Sequence, residues 1–428
     1  MSQASRGPGK QTSPDWVAGL TEAAKPRIGY QLALLAVTMP RWVARRVESL
    51  ELHDEVTAHR RVSIDFTLPA AIRSRRILVP SRTVFVPLSF VKKEPLRNFD
   101  IRDERGQALS MLSRRENGEL ASAALSHLAE LTLGMPPEPE ILEDIDALTY
   151  MSEGNSQASL ERLFRQAGAA RLTRYRLRED ATFRGLATWL AESFLLIVPL
   201  RADRARRLIK FEYDETIGGS RRGWQRIGEP MSWQPTRIPV PVPGAGLAGS
   251  YHFEAHAPAD LTFTQASLFS FATNEQLDSD QGPRPRIHLM TSRHEPELRV
   301  ILRVMAPRGG TIRAALLTAL FTAAVLTFGA FRLTELVKAK DGVATILVSV
   351  PAVIAAYLSR PGEHLLTTRL LFGVRLAILI AGVASFAASA VLLAGPRGVA
   401  LQATWWSLDG IVWAVALALF VSFSAPRK

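Results

Sequence analysis

The chain has 428 residues, 47% of them apolar and 21% charged, enough for a packed core and for two or three domains. Its 52 Lys and Arg against 40 Asp and Glu leave a formal charge of +12, which suits anionic lipid, nucleic acid or acidic partners as well as an ordinary solvated surface. Zero cysteines exclude disulfides, thiolate metal sites and cysteine nucleophiles.

Residues 1–15 are polar and rich in Gly, Pro and Ser, which reads as a disordered tail without a signal-peptide pattern. Residues 16–50 read as amphipathic or interfacial helices. Within them IGYQLALLAVTMP, residues 28–40, is apolar and closed by Arg27 and Arg41. It falls short of the roughly 17 residues that a membrane crossing needs, so a buried or interfacial helix is expected. WVARR, residues 42–46, continues it as a basic face suited to a membrane surface or to packing.

From residue 51 to about 310 the pattern predicts a cytoplasmic α+β region, with β-sandwich-like strands and a helical insert, in one domain or two. VSIDFTL and VFVPLSF alternate apolar and polar residues, as strands with one buried face do. FDIRDERGQALSML, residues 99–112, predicts a hairpin turning at Gly106. Between about 117 and 193 the period becomes helical, with Leu120, Ala124, Leu128 and Leu131 on one face. Strand character returns in FLLIVPL, RLIKFEY, YHFEAHA, RIHLMTS and LRVILRVM. The Pro/Gly-rich residues 231–246 read as a connection.

In SYHFEAHAP, residues His252, Glu254 and His256 alternate and so share one face of a strand. Two imidazoles and a carboxylate are plausible metal ligands. The same alternation describes the solvated face of a strand whose Tyr251, Phe253 and Ala255 meet a core, and H-x-E-x-H is not the helical zinc motif. Arg201, Arg204, Arg206, Arg207 and Lys210, with Arg221, Arg222 and Arg226 near Trp224 and Trp233, suit anionic lipid better than nucleic acid. Solvated loops are the leading explanation for them. There is no P-loop, GxGxxG, GxSxG or HExxH motif, and neither a catalytic set nor a cofactor is predicted.

The C-terminal residues 311–428 carry four long apolar runs and predict an all-α transmembrane four-helix bundle, with helices at about 313–333, 342–359, 370–394 and 404–424. Between the second and third runs lies YLSRPGEHLLTTRLLFGVRL, whose Arg360, Arg369 and Arg375 mark a short loop. With Arg293, Arg299, Arg303, Arg308, Arg313, Arg427 and Lys428 they outnumber Arg332, Lys338, Lys340 and Arg397 at the opposite helix ends. The positive-inside rule therefore places both termini in the cytoplasm of a multi-pass protein of the inner (plasma) membrane. Ala377, Ala381, Ser385 and Ser389 form a stripe of small residues at i, i+4 spacing, suited to helix packing or to an oligomer contact, with a pore lining as the sharper alternative. Asp409 follows Trp405 and Trp406 and reads as an interfacial residue.

Together NFDIRDERGQALSMLSRRENGELA, SFLLIVPL, IKFEYDE, SYHFEAHAP and YLSRPGEHLLTTRLLFGVRL resemble an uncharacterised group of four-helix membrane proteins of high-GC bacteria. The resemblance covers most of the chain after about residue 50. It implies a large N-terminal cytoplasmic domain before the helices, and no activity or site residue. The expected function is that of a non-enzymatic membrane-anchored sensor or scaffold, whose cytoplasmic domain binds a ligand or partner. A ligand-gated pore or membrane-disrupting effector is the first alternative, and a metal-dependent enzyme using His252, Glu254 and His256 the second.

Overall fold

A computed structural model of the chain describes residues 24–54, 56–73, 83–165, 170–217, 231–271, 273–293, 297–338, 343–358, 364–394 and 398–424. The predicted tail, residues 1–15, lies outside them. The N-terminal part is strand-rich with a helical section, and apolar helices make up the C-terminal part.

The first apolar segment forms helix α1 (Lys25–Val37), opened by Pro26 in its first turn, where a missing N–H costs nothing. Ile28, Leu32 and Leu35 recur at helical spacing and are fully buried in the main core, so this helix packs inside the protein rather than on a membrane surface. After the short helix α2 (Met39–Trp42) the chain becomes strand β1 (Val43–Leu52). WVARR thus enters a sheet instead of extending an amphipathic helix. Residues 46, 48, 50 and 52 alternate inward, and β1 finds ladders on both sides, which outweighs any local helical preference.

That sheet has six strands in the order β11-β8-β1-β2-β6-β4, adding β2 (Thr57–Thr67), β4 (Arg97–Arg102), β6 (Arg206–Thr216), β8 (Ser250–His256) and β11 (Arg286–Thr291). Strands β3 (Thr83–Lys92) and β5 (Ser193–Arg201) pair separately. VFVPLSF in β3 is buried on both faces, not one, because it lies between the six-stranded sheet and the helices. The predicted hairpin at residues 99–112 keeps its turn at Gly106, with φ 77°, but its second arm makes only a single bridge, Arg102 to Ala108.

The helical insert comprises α4 (Arg114–Leu133), α5 (Pro139–Tyr150), α6 (Glu153–Leu163), α7 (Arg171–Glu179) and α8 (Ala181–Glu192), after the short α3 (Ala70–Arg73). A reciprocal capping box between Ser113 and Glu116 starts α4, and Gly134 in the left-handed region ends it.

A second sheet, β10-β9-β12-β7, faces the inner side of the first. It contains β9 (Thr262–Ser270), β10 (Gln276–Arg284), β12 (Glu297–Met305) and β7 (Thr236–Pro243), so the Pro-rich stretch that reads as a connection is a strand. Its position explains the tolerance. β7 is an edge, Ile238, Val240 and Val242 face the core, and Pro239, Pro241 and Pro243 fall on the alternate positions.

β12 runs into the apolar helical part through Gly309 and Gly310; Gly310 has φ 67° and ψ −131°, a backbone setting that residues with a Cβ rarely adopt. Among the described residues, three helices are long and apolar enough to cross a membrane: α9 (Arg313–Phe331) with its preceding turn, α13 (Phe372–Ala394) and α14 (Val399–Ser424). The count is therefore three, not four. The second predicted span is α11 (Val343–Leu358), a 16-residue helix interrupted by Pro351. At 1.5 Å per residue its described length is about 24 Å, against a hydrocarbon core of roughly 30 Å. Short helices α10 (Leu333–Lys338) and α12 (Leu365–Leu370) complete this part.

Candidate functional site

One end of the six-stranded sheet carries polar chemistry on both faces. β2 and β6 pair so that His59 stands opposite Asp214 and Arg60 opposite Tyr213. Because successive side chains alternate, His59 and Asp214 point outward while Arg60 and Glu215 point in.

The inward group is an ion network at the seam between the two apolar cores, beside Val62 of one and Ala58 of the other. Arg60 Nε and Nη2 donate to Glu215 Oε1 at 2.8 and 2.5 Å, and its Nη1 donates to Glu48 Oε2. Glu48 also accepts from Arg46 Nε at 2.7 Å, and Arg46 Nη1 reaches Ser89 of β3 at 2.8 Å. Arg60 and Glu48 are 1% and 0% exposed, so neither charge is relieved by water. The remaining guanidinium donors meet the free edge of β7: Arg60 Nη2 donates to the Pro241 carbonyl at 2.9 Å and Arg46 Nη2 to that of Pro243 at 3.5 Å. Proline removes the N–H groups from this edge, and the buried arginines satisfy its carbonyls.

Burial alone would push the Glu48 carboxyl up, but Arg46 and Arg60 outweigh it and hold it below the usual glutamate range. Burial likewise opposes charge on Arg60, and Glu215 with Glu48 reverses the balance, so the guanidinium stays protonated. Burial pushes the phenols of Tyr213 and Tyr251 above their ordinary range.

The outward group lies beside a cleft of about 340 Å³ lined by His53, Lys92, Leu96, Arg97, Asp214 and Glu215. His59 Nδ1 and Asp214 Oδ1 are 2.7 Å apart, and His53 Nε2 is 3.9 Å from the same oxygen. Asn98 donates to Asp214 Oδ2 at 2.5 Å from a bulged part of β4, where it takes a left-handed φ of 52° that asparagine tolerates. Burial raises the Asp214 carboxyl, but hydrogen bonds from His59 and Asn98 prevail and keep it low and ionised. Among the described residues, His53, His59 and Asp214 form the one group of three such side chains whose ligand atoms lie within 4.8 Å of one another.

This corner of the sheet touches the apolar helical part. The turn after β1 is held by Asp54 Oδ1, which accepts from the backbone N–H of Val56 and Thr57. Leu52, immediately before His53, offers its carbonyl to His364 Nε2 at 2.9 Å. His364 Nδ1 accepts from the Leu366 N–H at 3.2 Å, capping α12, which leaves Nε2 as the donor to the Leu52 carbonyl. Thr367 donates to the Ala259 carbonyl at 2.8 Å, and Trp233 Nε1 to Ser422 Oγ near the end of α14 at 2.9 Å.

The other residues singled out by sequence lie elsewhere. His252, Glu254 and His256 alternate along β8 on its partly exposed face, where His252 Nδ1 lies 3.1 Å from His288 Nε2 of β11. Arg204, Arg206 and Arg207 pair with Glu104, Asp65 and Asp203. Arg221, Arg222 and Arg226 lie outside the described residues, as do Arg360 and the side chain of Arg308. Arg303 lies on β12, Arg313 opens α9, Arg369 is exposed on α12 and Arg375 is half-buried in the first turn of α13. Ala377, Ala381, Ser385 and Ser389 are buried, and Ser389 Oγ is 3.1 Å from Ser349 Oγ of α11. Asp409 is buried too, and Thr327 of α9 donates to both of its oxygens at 3.0 Å.

Sequence reasoning missed His53, His59, Asp214 and the inward network. Alternation in β2 and β6 assigns each residue to a face, but the pairing that joins His59 to Asp214 spans 155 positions. A comparison with models of known protein families found no match, and neither did one with curated proteins.

Proposed function

We propose that the protein is a non-enzymatic membrane-anchored sensor, in which a ligand held by the cleft beside His53 and Asp214 is registered by the membrane helices. The observation that carries this reading is the Leu52–His364 hydrogen bond, which ties the residue before His53 to the loop between α11 and α13. Glu215 is engaged by Arg60, and Asp214 by His59 and Asn98, an arrangement that suits holding a ligand better than moving a proton. In hydrogen-exchange measurements on the full chain in nanodiscs, His364→Ala is expected to speed exchange both in residues 48–60 and in 364–376, with 114–192 unchanged. A change confined to 364–376 would sink the proposed coupling.

We also propose that the strand-rich region is cytoplasmic and that the chain belongs with the high-GC bacterial membrane proteins it resembles. The arginine distribution supports that orientation, and Trp233 against Ser422 brings the end of α14 to the same side as the start of α9. The cysteine-free chain allows a direct check. A membrane-impermeant maleimide should label Thr334→Cys in intact cells, and Ser110→Cys only after permeabilisation; the reverse pattern inverts the topology.

A further inference from the structure

We infer that His53, His59 and Asp214 form a binding site for a divalent transition-metal ion of the zinc class. This names the ligand of the sensor reading above and rests on it. Two imidazoles and one carboxylate are a donor set that zinc accepts with a fourth position left for water or another ligand. Metal–ligand bonds of about 2.0–2.2 Å in a tetrahedral site set ligand atoms about 3.3 Å apart. The three ligand atoms here already lie within 4.8 Å of one another, so a small inward rotation of the half-exposed His53 closes the set.

The surroundings are those of a supported site. Asn98 holds Asp214 Oδ2 and leaves Oδ1 turned toward both histidines. His59 Nε2 lies 3.5 Å from Glu212 Oε2 on the neighbouring strand, an acceptor for the Nε2 proton once Nδ1, which donates to Asp214 in the metal-free site, gives up its own proton to ligate. His53 and Asp214 also line the cleft, which gives a fourth ligand room beside them. His53 is the mobile ligand, and metal capture would tighten the turn whose Leu52 carbonyl meets His364. Among the described residues, the partly exposed His252–His288 pair on β8 and β11 belongs to no group of three ligand atoms within 4.8 Å, which makes it the natural control.

The test is Zn²⁺ titration of the full chain in nanodiscs against a chromophoric chelator, with Co²⁺ absorption as a reporter of tetrahedral geometry. One Zn²⁺ per chain is expected, weakened by more than about 100-fold in His53→Ala and in Asp214→Asn, about 10- to 100-fold in Glu212→Gln, and unchanged in His288→Ala. His53 is half-exposed, so its variant is expected to fold, and a matching melting curve assigns any loss to the site. Absence of binding to the wild type, equal binding by His53→Ala and Asp214→Asn, or loss in His288→Ala would overturn the proposal. Exchange of residues 364–376 with and without Zn²⁺ separates the two readings. Binding at this site without added protection there leaves the metal site standing and removes the sensor, whereas failure to bind leaves the metal-free His364→Ala test of coupling unaffected.

Discussion

Replacing Arg60 with Met should lower the stability of the strand-rich region by about 3–5 kcal/mol, the usual cost of leaving a buried charge without its partner. Glu215 loses both of its guanidinium contacts, Glu48 keeps only Arg46, and the Pro241 carbonyl loses its donor. The seam between the two cores offers no water to replace them, with Arg60 only 1% exposed. The midpoint of pulse proteolysis in urea, on the detergent-solubilised full chain, measures the loss. Arg60→Met combined with Glu215→Met removes one charge of each sign and leaves Arg46 with Glu48, so the double variant should be closer to wild type than Arg60→Met alone. A double variant less stable than the single one would show that Glu215 has another role. The same network sets an acid limit. The Glu48 carboxyl is held low in the folded state, so its contribution is complete above pH ~4.3 and is lost as the pH falls through its folded value.

Gly29→Leu is expected to cost at least about 1–3 kcal/mol, because the obstacle is backbone. A Cβ at Gly29 would fall 2.5 Å from the Ala123 carbonyl oxygen and 2.9 Å from its carbon, so α1 and α4 could no longer approach as they do. The substitution also separates two readings of residues 28–40. A helix lying in a membrane surface would gain apolar area and hold its place, whereas a buried one must move. Faster hydrogen exchange throughout α1 and α4 is the expected result, and unchanged exchange with tighter membrane association would contradict the packing described above.

Much of the fold was legible because its signals are local. The helical insert follows its 3.6-residue period, and the capping box at Ser113 and Glu116 starts α4 close to where the apolar pattern begins. Strands β2, β5, β6, β8, β11 and β12 stand where apolar alternation or short apolar runs predict them. The three long apolar helices follow from length and hydropathy alone. The second span was harder to read, since an apolar run of 18 residues gives a described helix of 16 with a proline inside it.

The order and type of most elements, and the division into a strand-rich part and an apolar helical part, are therefore set by local pattern, because burial period and run length are properties of short windows. Tertiary packing makes the proline-rich stretch a strand, since its edge becomes tolerable when Arg46 and Arg60 satisfy its carbonyls from another sheet. It alone decided that α1 is buried, and that His59 meets Asp214 beside a turn that touches His364. Those contacts depend on strand register and on the docking of remote segments, where one residue of slip turns every side chain to the opposite face.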